Sequence, residues 1–139
     1  MFNTYLGIDY GTKRVGVAIA TTFLAEPLVV LANTPQLLEE LQQLIQERRP
    51  AVIVIGISER EMAEQTRQFA AQLEAYLQQH TAEPPRIVFA DETLSSVEVY
   101  EKLHQSGKRD IRQKGPIDHY VAAHILQEYL DLHQLDESQ

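Results

Sequence analysis

Residues 4–20 read TYLGIDYGTKRVGVAIA, and this stretch decides the fold. Thr4 to Tyr10 alternates and stops at Gly11, and Arg14 to Ala20 is a second, largely apolar run, so Gly11 to Lys13 reads as the turn of a β-hairpin. A third run, Leu28 to Leu31, follows Pro27 and completes an antiparallel meander. On the first strand, Tyr5, Gly7 and Asp9 share one face while Leu6, Ile8 and Tyr10 share the other.

Beyond the meander the period changes. Thr34 reads as a helix N-cap with Pro35 at the first helical position, followed by Leu37, Leu41, Leu44 and Ile45 at helical spacing and an end near Arg49-Pro50. Ala51 to Ile55 is continuously apolar, a strand buried on both faces that Gly56 is expected to stop. Ser58 with Glu61 forms a capping box for a helix whose inward stripe is Met62, Thr66, Phe69, Leu73, Tyr76 and Leu77. Ile87 to Ala90 reads as another short buried strand, leading to Asp91-Glu92. Ser95 with Glu98 opens a helix that ends at Gly107, and Pro116 opens the last one, carrying Ile117, Val121, Ala122, Ile125, Leu126 and Tyr129. The order β-β-β-α-β-α-β-α-α predicts an α/β fold, a mixed five-stranded sheet with helices on both faces and right-handed crossovers. The whole chain, 1–139, reads as one domain, with 136–139 a frayed tail.

Composition narrows the chemistry. There is no cysteine, which excludes disulfides, zinc-thiolate sites and thiol nucleophiles and points to a reducing, cytoplasmic setting. No leader-like segment or membrane-length apolar run is present, so a soluble protein without a membrane partner is expected. The formal net charge is -8, but six of the twelve Lys and Arg residues sit in two places: Lys13 and Arg14, then Lys108, Arg109, Arg112 and Lys114. An acidic body with a local basic arm remains compatible with a polyanionic partner.

Acids stand at three places where chemistry collects. Asp9 leaves the first strand beside two glycines; a turn-capping role would explain it equally well from position alone. Asp91 and Glu92 lie at the carboxyl end of a strand, where open α/β sheets gather ligands, although either could instead favour the next helix's N-terminus. Asp118 shares the core-facing stripe of the last helix with Ala122, Ile125 and Tyr129. Acids from separate elements suit hard divalent cations, Mg²⁺ or Mn²⁺, and two metals about 3.5 to 4 Å apart can activate a water and steady a leaving oxygen. Such a site needs neither a side-chain nucleophile nor a small-molecule cofactor. The basic residues then supply phosphate contacts, against the alternative that they form a solvated run. His119, adjacent to Asp118, reads first as a structural histidine and only secondarily as a proton-transfer group.

The segment Gly7-Ile8-Asp9-Tyr10-Gly11-Thr12-Lys13-Arg14-Val15-Gly16-Val17-Ala18 closely resembles the opening signature of the YqgF (RuvX) family of RuvC-like nucleases. Phe69-Ala70 with Leu73, Asp91-Glu92-Thr93-Leu94-Ser95-Ser96, and Lys114-Gly115-Pro116-Ile117-Asp118 with Ala122-Ala123 and Ile125-Leu126-Gln127 extend the resemblance over nearly the whole chain. It implies an RNase H-like fold, metal-assisted phosphodiester cleavage, and Asp9, Glu92 and Asp118 as the acidic residues, with Glu92 preferred to Asp91. It further implies trimming of the 5′ end of precursor 16S ribosomal RNA, with Holliday junction resolution on branched DNA as the alternative. A homodimer would suit junction cleavage, and a catalytically idle nucleic-acid-binding module is the remaining alternative. The chain departs from the family pattern at Gly56-Ile57-Ser58, which runs straight into a helix where a Gly-Leu-Pro loop is usual.

Overall fold

The computed structural model describes residues 3–57, 62–91 and 117–137. Strands β1 (Tyr5–Tyr10), β2 (Arg14–Ala20) and β3 (Ala25–Ala32) form the antiparallel meander. β4 (Val52–Ile57) and β5 (Arg86–Asp91) run parallel to β1, giving one sheet in the order β3-β2-β1-β4-β5. The described helices are α1 (Leu37–Arg48), α2 (Ala63–His80) and α3 (Asp118–Glu137). The capping box at Ser58 and Glu61 and the helix expected from Ser95 to Gly107 lie outside the described residues.

The period-2 alternation divides the interior into two cores. Leu6, Ile8, Val15 and Val17 face Leu41, Ile45, Phe69 and Leu73 of α1 and α2. Ala18, Val52 and Val54 face Val121, Ala122, Ile125 and Leu126 of α3. Helices therefore cover both faces, and the inward stripe expected for α3 is buried as its spacing implies.

Four local expectations change. β3 is longer than Leu28 to Leu31 and includes Pro27, opposite Ala18 beside a register shift; an edge strand tolerates a residue with no N–H to donate. α1 starts at Leu37, two residues later than Thr34 suggested, because the Thr34 hydroxyl accepts from the Gln36 N–H at 3.2 Å and makes a tight turn ahead of the helix. α1 closes on Arg49 in the left-handed region (φ 50°, ψ 56°), whose N–H donates to the Ile45 carbonyl at 2.8 Å; Pro50 then blocks continuation.

The other two changes concern β4 and β5. Gly56 does not end β4: it lies inside the strand, and a Cβ there would come 2.6 Å from Ile125 Cδ1, so the glycine admits α3 against the sheet. β5 is not fully buried either, since it occupies a sheet edge and leaves Phe89 46% exposed.

Candidate active site

The site is built on β1 and β2. Leu6 and Ile8 enter the α1–α2 core, so Gly7 and Asp9 turn to the opposite face, where α3 lies. Asp9 pairs across the hairpin with Gly16. An ideal Cβ on Gly16 would collide with the backbone carbonyl of Asp118 and lie 2.7 Å from the His119 nitrogen. The first turn of α3 thus rests on the residue directly opposite Asp9, one strand spacing of about 5 Å away. Only a residue without a side chain permits that approach.

Arg14, two residues before Gly16 on β2, projects to the same face. Its Nε donates to Asp118 Oδ2 at 3.1 Å, joining the start of β2 to the start of α3. The Arg14 side chain is 52% exposed and that of Asp118 24%, so the pair is wet and contributes roughly 1 kcal/mol or less to stability. Lys13 is exposed at the hairpin turn. Asn33 braces that turn from the end of β3: its side-chain Nδ2 donates to the Gly11 carbonyl at 2.7 Å, and its backbone N–H donates to the Lys13 carbonyl at 2.9 Å. Sequence reading passed over Asn33, whose one signal is an amide side chain just after an edge strand.

Beside Asp118, burial of the His119 imidazole lowers its pKa from the usual 6.5, and the Asp118 charge opposes that shift without reversing it. Its Nδ1 is buried with no hydrogen-bond partner, and its ring meets Tyr120 edge-on at 4.6 Å. Tyr10, next to Asp9 but on the other face, stacks on Phe69 at 4.4 Å and ties the end of β1 to α2.

Of the expected site residues, Arg14 and Asp118 pair directly, Asp9 lies across from Gly16 on the face that the Asp118 backbone covers, and Lys13 sits on the adjoining turn. Glu92, Lys108, Arg109, Arg112 and Lys114 lie outside the described residues. β5 does deliver the chain to the same end of the sheet: Asp91 stands level with Ile57, two strand spacings or about 10 Å from β1. Ile87 packs on the α1–α2 side while Val88 and Ala90 pack on the α3 side, so alternation turns Asp91 away from the face of Asp9. Among the described residues no three acids or histidines converge as a metal site. The carboxylates present nevertheless fit a hard cation, being oxygen donors on one face, one of which already attracts a guanidinium.

A mixed sheet opening with an antiparallel hairpin, with an acid at the end of its first strand and another at the start of the last helix, defines an RNase H-like α/β protein of the RuvC type. Solved structures share this fold: Thermus thermophilus RuvC, at TM-score 0.60 and 12% identity, covers 94% of this chain and 96% of its own. The Fowlpox virus Holliday junction resolvase, at TM-score 0.58 and 14% identity, covers 92% of this chain and 98% of its own. The family model described as "RuvX: Holliday junction resolvase" matches residues 3–132, and the chain belongs to that family. Relatives include a protein of Nitrosospira multiformis, 34% identical over 138 residues (92% of this chain, 87% of that one). Another, from Methylobacillus flagellatus, is 37% identical over 137 residues (91% of this chain, 89% of that one). Both carry the name "Putative pre-16S rRNA nuclease".

Proposed function

We propose that the chain is a single-domain, divalent-metal-dependent endonuclease that hydrolyses phosphodiester bonds while processing the 5′ end of precursor 16S ribosomal RNA. The observation that carries this reading is the seating of the Asp118 backbone on Gly16, opposite Asp9, with both acids, from distant segments, on one face of the sheet at the carboxyl end of β1. The names of the relatives supply the substrate. Asp9 and Asp118, with Glu92, would hold Mg²⁺ or Mn²⁺. When bound, the metal supplies a nucleophilic water and charge stabilisation at the scissile phosphate. The protein's own part is to hold the carboxylates fixed through the Gly16 contact and to bring cationic side chains to the substrate backbone. Lys13 and Arg14 stand on the site's own hairpin. Lys108, Arg109, Arg112 and Lys114 are assigned to the same backbone-binding role.

Branched DNA is the second reading, favoured by the description of the family model. A homodimer would then place two sites on one junction. Among the described residues no helix is long and apolar enough to cross a membrane. Cleavage mapping of a 16S precursor and of a four-way junction, with Mg²⁺ or Mn²⁺, tests the assignment. Metal-dependent cuts near the mature 5′ end, lost in Asp9→Asn and Asp118→Asn, are expected. Symmetric junction cutting with an intact precursor would move the assignment to DNA, and binding without cleavage of either would reduce the chain to a binding module.

A further inference from the structure

We propose that Arg14 is a bridging residue: its Nε fixes the orientation of Asp118 while its terminal amino groups take a phosphate oxygen of the nucleic acid. This deepens the metal-nuclease reading and rests on it. Three features of the ion pair carry the inference. Contact is made through Nε to a single oxygen, Oδ2, at 3.1 Å. A carboxylate has a second oxygen and roughly four lone-pair sites, so Oδ1 stays available for a cation. Half of the Arg14 side chain is open to solvent, and among the described residues its Nη groups make no hydrogen bond or ion pair, leaving them for an acceptor arriving from outside.

The backbone fixes both ends of the bridge. Arg14 opens β2 two residues before Gly16, and Asp118 opens α3 on top of Gly16, so one backbone contact keeps the two ends within reach of each other. Partners that orient a metal ligand from outside the coordination sphere typically tune affinity tenfold or more. The planar guanidinium fork can hold two acceptors at once, whereas an ammonium is a compact point charge. Arg14 is accordingly a positioning residue for Asp118 and a contact residue for the substrate.

The test separates these roles with two variants and two binding assays that do not read activity. Mn²⁺ affinity is measured by electron paramagnetic resonance on the nucleic-acid-free chain. Binding of a fluorescein-labelled four-way DNA junction is measured by anisotropy in EDTA. Arg14→Lys is expected to keep Mn²⁺ affinity within about twofold but to weaken junction binding severalfold, since it keeps the charge and loses the fork. Arg14→Gln is expected to weaken both, Mn²⁺ by about tenfold. Both variants should melt close to wild type, because the pair is solvent-exposed. Tighter Mn²⁺ binding by Arg14→Gln would make Arg14 a competitor for the site and overturn the bridge, as would unchanged affinities in both assays. Wild-type protein that binds no Mn²⁺ would instead sink the metal-site reading, and the bridge with it.

Discussion

The carbonyl of Asp118 lies so close over Gly16 that a methyl group on Gly16 would collide with it. Since Gly16 pairs with Asp9, this one contact decides where the last helix begins and how far its leading carboxylate stands from the first strand. Gly7 and Gly56 repeat the relationship further along α3, meeting Leu126 and Ile125. The helix lies across three strands on a track without side chains.

Gly16→Ala is therefore expected to lift the first turn of α3 and to destabilise the fold by about 1–3 kcal/mol through overpacking. Gly7→Ala crowds the same helix further from the acids, where an added Cβ would come 2.8 Å from Leu126 Cβ. Thermal melts and Mn²⁺ titrations of the two variants should diverge, with comparable loss of stability but a much larger loss of Mn²⁺ affinity in Gly16→Ala. Equal Mn²⁺ affinities would mean that the contact is structural only.

Phe69 is buried and stacks on Tyr10, the neighbour of Asp9 on β1. Phe69→Ala should cost about 3–5 kcal/mol by emptying this part of the core. Denaturant unfolding measures it; a loss below about 1 kcal/mol would indicate that α2 does not secure the end of β1.

The His119 pKa falls below 6.5 on folding because burial penalises the imidazolium. As pH drops below that value the unfolded chain takes up the proton first, so stability declines between 6.5 and the lower folded value and is unaffected above it. His119→Gln removes this contribution. In metal-free protein the melting temperature of the variant should gain on wild type between about pH 7 and about pH 5.5. A constant difference across that range contradicts the sign of the shift.

Neutral replacements at Lys108, Arg109, Arg112 and Lys114 should weaken nucleic-acid binding and flatten its dependence on log salt by about 3 if each residue contacts one phosphate. Anisotropy titrations over a salt series check this. An unaltered slope would return the basic run to the role of a solvated linker.

The hairpin was legible in residues 4–20 because strand alternation and a glycine turn are local signals, and the buried stripe of α3 was legible from its spacing. Gly56 misled because a glycine admitting a helix from across the sheet looks, in one dimension, like a glycine ending a strand. Burial of β5 was overestimated because an apolar run does not reveal that its strand lies at an edge. Asp9 and Asp118 stood out as acids at a strand end and on a core-facing stripe. The resemblance put them in one site, but the contact that seats the last helix, a backbone carbonyl over Gly16, was not legible, and neither was the Arg14–Asp118 pair, whose members lie 104 residues apart.

Whether Asp9 and Asp118 serve a common cation is tested most directly by a double-mutant cycle on Mn²⁺ affinity, using Asp9→Asn, Asp118→Asn and the pair. Shared coordination predicts that each single change abolishes most of the affinity and that the double variant loses little more than the worse single one. Losses that simply add, or wild-type affinity in either single variant, would contradict it.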